Sequence, residues 1–290
     1  FQGFSRETKD ITTLGRGGSD TTAVALAVAL EADMCEIYTD VDGVFSADPR
    51  LVPAARHLPR LEYEEMLEFA AAGAKVLHLR CVEYARRAGL PLFVRSSFSQ
   101  HPGTAITSRL RMEEEGHAME QPIIAGVAVD LSEAKVTITS VPDEPGRAAA
   151  IFEALADADV NIDMIVQNVS AKTTGRTDVT FTCPTGSVAT ARAALQAARD
   201  RIGFEDLLHD EHIAKVSLIG AGMKQHPGVS ATFFSALAQA GVNVELISTS
   251  EIRISVITRA ETAQAAAQAV HTAFGLDASG EAVVYAGSGR

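Results

Sequence analysis

The sequence predicts an α/β segment followed by two α+β units of βαββαβ order, and three observations carry that prediction. A glycine-rich turn at Thr13 to Asp20 runs into an apolar helical pattern, and short β-rich runs then alternate with helical spacing up to Ser97. A charged, weakly hydrophobic stretch, Arg109 to Gln121, interrupts the pattern. Beyond it the chain repeats itself at an offset of about 80 residues.

The turn reads Gly15-Arg16-Gly17-Gly18-Ser19-Asp20. Asp20 is the expected N-cap of the helix that follows. Glycines let backbone N–H groups approach a ligand, and a helix N-terminus favours an anion. Arg16 adds a planar fork suited to carboxylate or phosphate. A turn that merely feeds a core helix would look similar, so the motif gains weight only from its neighbours.

The next signal is the β-rich run Cys35 to Tyr38, which ends in the loop Thr39-Asp-Val-Asp-Gly-Val-Phe-Ser-Ala-Asp-Pro-Arg50. Loops at the carboxyl ends of strands are the usual ligand sites of open α/β sheets. Thr39 and Asp40 offer acceptors for a base or ribose, and Arg50 offers a cation for phosphate. Asp40, Asp42 and Asp48 suggest calcium, but the glycine and the closing Glu of an EF-hand loop are not at the required positions. A solvated acidic turn stays open as the alternative. Next come a helical pattern over Tyr63 to Ala70, the segment Gly73-Ala-Lys75-Val-Leu-His-Leu-Arg80, and a strand from Leu90 leading to Ser97.

Together and in this order, these motifs resemble the C-terminal half of the catalytic domain of bacterial aspartate kinases, which belong to the amino-acid kinase family. The resemblance implies that Arg16 grips a substrate carboxylate, with Gly17, Gly18, Ser19 and Asp20 completing the aspartate pocket. It implies an ATP site built from Tyr38, Thr39, Asp40, Val44, Phe45, Ser46, Ala47, Asp48, Pro49, Arg50 and Lys75, with Mg2+ accompanying ATP. Phe45 stands where many relatives carry tyrosine. The implied chemistry is transfer of the γ-phosphoryl of ATP to the β-carboxylate of L-aspartate, which depends on positioning and charge neutralisation. The family's Lys-x-Gly-Gly-Ser/Thr motif does not occur here, so catalytic residues stay unassigned. The expectation is that the sequence is a piece of a longer protein and inactive by itself.

In the repeat, Ala134-Lys-Val echoes Ala214-Lys-Val. Pro145-Gly146 and Asn161-Ile162-Asp163 echo Pro227-Gly228 and Asn243-Val244-Glu245, both at an offset of 82 residues. Each unit reads as strand, Pro-Gly turn, helix, a strand opening at Asn, then further strand and helix. These ferredoxin-like copies resemble tandem ACT domains, the amino-acid-sensing modules of the same family. The organisation expected is a partial amino-acid kinase domain over 1–111, a linker over 112–121, and ACT domains over 122–205 and 206–290. The strand 123–129 is open to joining the later copy.

A helix opening at Pro145-Gly146 can receive an effector carboxylate on its free N–H groups, and Asn161 and Asp163 can accept from an effector ammonium. The family resemblance implies an effector site between modules of paired subunits. One side would hold Asp143, Glu144, Pro145, Gly146, Arg147, Ala148, Asn161, Ile162, Asp163 and Gln167. The other would hold Val229, Ser230, Asn243, Val244, Ser250 and Glu251, and Ser170 and Thr180 would tune inhibition. Lysine, threonine or both are the implied effectors, and a homo-oligomer paired through ACT domains is the implied assembly.

The formal charge of −12 argues against a nucleic-acid surface. The sequence contains no apolar run of membrane-spanning length. Cys35, Cys81 and Cys183 have no CxxC spacing and fit reduced thiols in a cytoplasmic protein. His209 and His212 lack a third metal ligand nearby and read as a polar turn. The second functional reading is a non-catalytic ACT regulatory subunit or amino-acid sensor, which some relatives make from an internal start; Met112 and Met119 are the candidates here. A glutamate kinase fits less well, because tandem ACT modules and the substrate loop argue for aspartate.

Overall fold

The computed structural model describes residues 2–15, 17–108, 123–168, 175–223 and 226–285. The linker at 112–121, with Met112 and Met119, lies outside the described residues.

A hairpin of β1 (Gln2–Phe4) and β2 (Ile11–Thr13) precedes α1 (Gly18–Ala29). The helix starts earlier than an Asp20 cap implies: Gly17, at φ 72°, takes the N-cap position and Asp20 falls in the first turn. Glycine adopts that φ without steric cost. The site also has no room for a side chain, since a Cβ on Gly17 would lie 2.3 Å from His78 Cδ2.

Next come β3 (Cys35–Thr39), β4 (Val44–Phe45), β5 (His57–Leu58), β6 (Arg60–Glu62), α2 (Tyr63–Ala71), α3 (Leu79–Ala88), β7 (Leu92–Ser96) and β8 (Thr104–Thr107). The main sheet has the order β3-β7-β8-β6. β3 and β7 are parallel, as are β6 and β8, while β7 and β8 are antiparallel. Alternation along β7 turns Leu92, Val94 and Ser96 inward. Helical spacing turns Cys81, Val82 and Ala85 of α3 onto the same core, which also holds Val24, Leu61, Met66, Phe69 and Ile106. Gly89, at φ 64°, ends α3.

The rest of the chain supplies β9 (Gly126–Asp130), β10 (Glu133–Pro142), α4 (Arg147–Asp157), β11 (Ile165–Gln167), β12 (Arg176–Pro184), α5 (Val188–Ala197), α6 (Arg199–Ile202) and β13 (Asp206–Asp210). It continues with β14 (Ile213–Ile219), α7 (Gly228–Gln239), β15 (Leu246–Thr249), β16 (Arg253–Arg259) and α8 (Ala263–Ala273). Two antiparallel sheets result, ordered β11-β12-β10-β13 and β15-β16-β14-β9.

The strands do not divide at residues 122 and 206. β13 (Asp206–Asp210) completes the first sheet beside β10, whereas β9 (Gly126–Asp130) completes the second beside β14. In a βαββαβ unit the fourth strand lies against the first. After α8, however, the chain leaves for the N-terminal region: Ala278, Ala282 and Tyr285 donate backbone N–H groups to the carbonyls of Ala54, Pro53 and Asp40. β9 takes the place beside β14. The chain passes between the two sheets through residues 131–132 and 211–212.

The first repeat unit has its own core, built on Val136, Ile138, Ile151, Leu155, Phe181 and Leu195. The second unit shares one continuous core with the N-terminal region, in which Val41, Phe45, Val52 and Ala55 pack with Val216, Phe233, Val256 and Val270. No helix among the described residues is long and apolar enough to cross a membrane.

Candidate nucleotide site and effector modules

Thr39, Asp40, Val44, Phe45, Ala47, Asp48, Pro49, Arg50 and Lys75 line one cleft, together with Phe69, Gly73 and Ala74. Tyr38 and Ser46 do not line it. Tyr38 is exposed and bonds to Glu36, and Ser46 is fully buried behind the loop. The parallel ladder of β3 carries the chain to Thr39, and the short β4–β5 pair folds the following loop back.

The far wall of the cleft is the edge strand β9 of the last sheet, which contributes Val127, Ala128 and Val129. No local signal could have found that wall, because β9 lies far from the loop in sequence. Gly73, at φ 101°, makes the approach feasible: a Cβ there would lie 2.8 Å from both the Val129 carbonyl oxygen and Asp130 Cβ. The charges of the cleft are mixed. Arg50 lies 3.5 Å from Asp40 and 3.9 Å from Asp48, while Lys75 is exposed and makes no ion pair among the described residues. Lys75 and Arg50 can therefore meet an anion, and Thr39 and Asp40 offer acceptors beside it. Among the described residues, no cluster of three or more His, Cys, Asp or Glu side chains could hold a metal ion.

The glycine-rich turn is packed against His78, in the segment that carries Lys75. Gly17 caps α1 without a side-chain hydrogen bond. Gly18 N–H donates to the Gly15 carbonyl at 3.2 Å and Thr21 N–H to the Gly17 carbonyl at 3.3 Å, and the positive end of the helix dipole at this turn favours an anion. Gly18 is buried, Ser19 is exposed, and Ser19 donates to Asp20. Arg16 lies outside the described residues.

In the first repeat unit Gly146, at φ 93°, caps α4, and Arg147 pairs with Glu144 at 2.9 Å. Asn161 to Asp163 lie beyond the other end of this 11-residue helix, about 16 Å away by helical rise. A single chain therefore does not bring Asn161 to Asp163 and Asp143 to Ala148 together. The strand expected to open at Asn161 begins only at Ile165. Gln167 is exposed on β11, and Thr180 is buried with its hydroxyl 3.0 Å from that of Thr137. Ser170 lies outside the described residues.

Asp163 is already engaged. Its carboxylate lies 2.7 Å from Lys215 Nζ, and Glu133 lies 2.5 Å from the same ammonium. Burial alone would push the Lys215 ammonium down, but the two carboxylates outweigh it and hold it above its ordinary value. The repeat returns the contact, since Lys135 of the first unit bonds to Glu245 of the second. Each unit's Ala-Lys-Val lysine thus meets the carboxylate that follows Asn-Ile or Asn-Val in the other unit. Both motifs stand out in the sequence, but nothing there pairs them. In the second unit Val229, Ser230, Ser250 and Glu251 line one groove, and Asn243 and Val244 lie outside it.

A model of the amino acid kinase family matches residues 1–96, and models of the ACT domain match residues 135–200 and 216–274. Over all 290 residues the chain is 60% identical to an aspartokinase of Mycolicibacterium smegmatis, of which it covers 68%. It resembles the structure of E. coli aspartokinase III in complex with aspartate and ADP, with a TM-score of 0.80 and 28% identity over 94% of this chain and 59% of that one. The same enzyme in complex with lysine and aspartate gives a TM-score of 0.68 and 30% identity, over 94% of this chain and 58% of that one. The regulatory subunit of aspartate kinase from Thermus thermophilus gives 0.50 and 43%, over 52% of this chain and 99% of that one. By its identity to these proteins and its two ACT domains, the chain belongs to the aspartokinase family.

Proposed function

We propose that the protein carrying this chain uses MgATP to phosphorylate the β-carboxylate of L-aspartate, giving 4-phospho-L-aspartate for the biosynthesis of lysine, threonine and methionine. The observation that carries this reading is the cleft that Lys75 and Arg50 line together with Thr39 and Asp40. In it Lys75 and Arg50 neutralise the phosphates, and Thr39 and Asp40 hold the base or ribose. Aspartate binds at the N-terminus of α1, with Arg16 on a carboxylate. Mg2+ bound with ATP would supply charge neutralisation of the phosphates, beside the Lys75 and Arg50 cations that line the cleft. The bound ADP and aspartate of the E. coli relative support the substrate pair.

Lysine, threonine or both regulate the activity through the ACT modules of paired subunits, a reading supported by the lysine complex of the same relative. The second reading, a non-catalytic regulatory subunit, draws support from the separate core of the first ACT unit and from the Thermus regulatory subunit. Three free, buried cysteines are at home in the reducing cytoplasm, where we place the reaction. The test is ATP-dependent formation of aspartyl phosphate, trapped as the hydroxamate, by the protein that carries these residues. Lys75→Ala should raise KM for ATP about tenfold, the loss of a charge-assisted contact, and leave lysine or threonine binding intact. Normal ATP kinetics with abolished effector binding would overturn the assignment.

A further inference from the structure

Ser46 sits between two residues that line the cleft, yet it is fully buried and faces the ACT module. Its N–H donates to the Arg56 carbonyl at 2.8 Å, and its carbonyl accepts from Val127 N–H of β9 at 2.7 Å. Its hydroxyl accepts from Arg56 N–H at 2.8 Å and lies 2.7 Å from His271 Nε2. His271, on α8, is fully buried, and its Nδ1 lies 2.7 Å from Asp277 Oδ1.

Hydrogen-bond capacity fixes the proton positions. The Asp277 carboxylate can only accept, so Nδ1 carries the imidazole proton and Nε2 accepts the hydroxyl proton of Ser46. The constellation has the order of a hydrolytic triad, but the hydroxyl is sealed from solvent and spent on the backbone, so it has no nucleophilic role. What it does is hold the loop. The same module grips the loop elsewhere: Gln264 and Gln268 of α8 donate to the Leu51 carbonyl, and the chain after α8 pairs with residues 40–55.

Building on the nucleotide-site reading above, we propose that Asp277, His271 and Ser46 form a positioning relay. It holds the loop from Val44 to Arg50 in its nucleotide-binding shape and ties ATP affinity to the seating of α8. His271 touches no substrate and acts through Ser46. A shift of α8 that breaks the bond leaves the buried hydroxyl without its acceptor, so the loop and the helix favour the same seating.

The test measures KM for ATP and kcat separately in the protein that carries this chain. His271→Ala should raise KM for ATP about 5- to 30-fold, the loss of one buried hydrogen bond, with kcat within about twofold. His271→Gln, whose amide oxygen can accept from Ser46, should recover part of the loss. Asp277→Ala, at a half-exposed position and so less disruptive to folding, should raise KM by about two- to fivefold. Leu237→Ala, in the same core but off the relay, should leave KM unchanged. Unchanged KM in His271→Ala and Asp277→Ala, or an equal rise in Leu237→Ala, would overturn the relay alone. A wild-type protein that neither binds nor turns over ATP would overturn the nucleotide reading and the relay with it.

Discussion

Replacing Lys215 with Met removes the ammonium that joins the two ACT units while keeping an apolar stem of similar length. The side chain is 1% exposed, and it is held by Glu133 at 2.5 Å and Asp163 at 2.7 Å. Removing one partner of a buried pair typically costs about 3–5 kcal/mol, because the other charge is stranded. Asp163 is 37% exposed and can regain water, whereas Glu133 is buried and its Oε2 has no hydrogen-bond partner among the described residues. The stranded charge is therefore mainly Glu133, which places the expected loss near the lower end, about 3 kcal/mol. The double variant Lys215→Met/Glu133→Leu removes that charge and should recover most of the loss. Urea unfolding followed by circular dichroism measures both. The folded value of Lys215 is raised, so its contribution is complete below the unfolded value of about 10.4 and is lost as pH rises through the folded value. The deficit of Lys215→Met should therefore be constant around neutrality and shrink at strongly alkaline pH. A loss under about 1 kcal/mol, or a double variant no more stable than the single one, would refute the reasoning.

Gly73→Ala places a Cβ at positive φ and against β9, so it should cost about 1–3 kcal/mol in the same unfolding experiment and weaken ATP binding. Thr180→Ile in the buried Thr137–Thr180 pair should raise the concentration of lysine or threonine needed for inhibition, with uninhibited turnover close to normal in the hydroxamate assay. Burial pushes the Cys81 thiol up to about 12, so mass spectrometry after iodoacetamide treatment of the native protein at about pH 8, well below that value, should find Cys81 unmodified.

Much of the molecule could be read locally. The glycine-rich turn, the loop from Thr39 to Arg50 and the Lys75 segment are contiguous motifs whose chemistry depends on near neighbours, and periodicity located α1, α2 and β7 within a few residues. The repeat exposed two βαββαβ units because each copy preserves the same local order of strand, turn and helix. Pairing between distant segments was decided only by the tertiary structure. β9 takes the place beside β14 while the chain after α8 pairs with residues 40–55, a pair of long-range choices that no window of sequence contains. Asp163 looked like a ligand for an effector ammonium, and the fold supplies the ammonium of Lys215, 52 positions away. Ser46 read as part of the ATP loop, yet backbone bonds to Arg56 and Val127 hold it facing α8, with its hydroxyl on His271, 225 positions along the chain. Residue type and spacing specify what a side chain can bond to; which partner arrives depends on how whole sheets and helices pack.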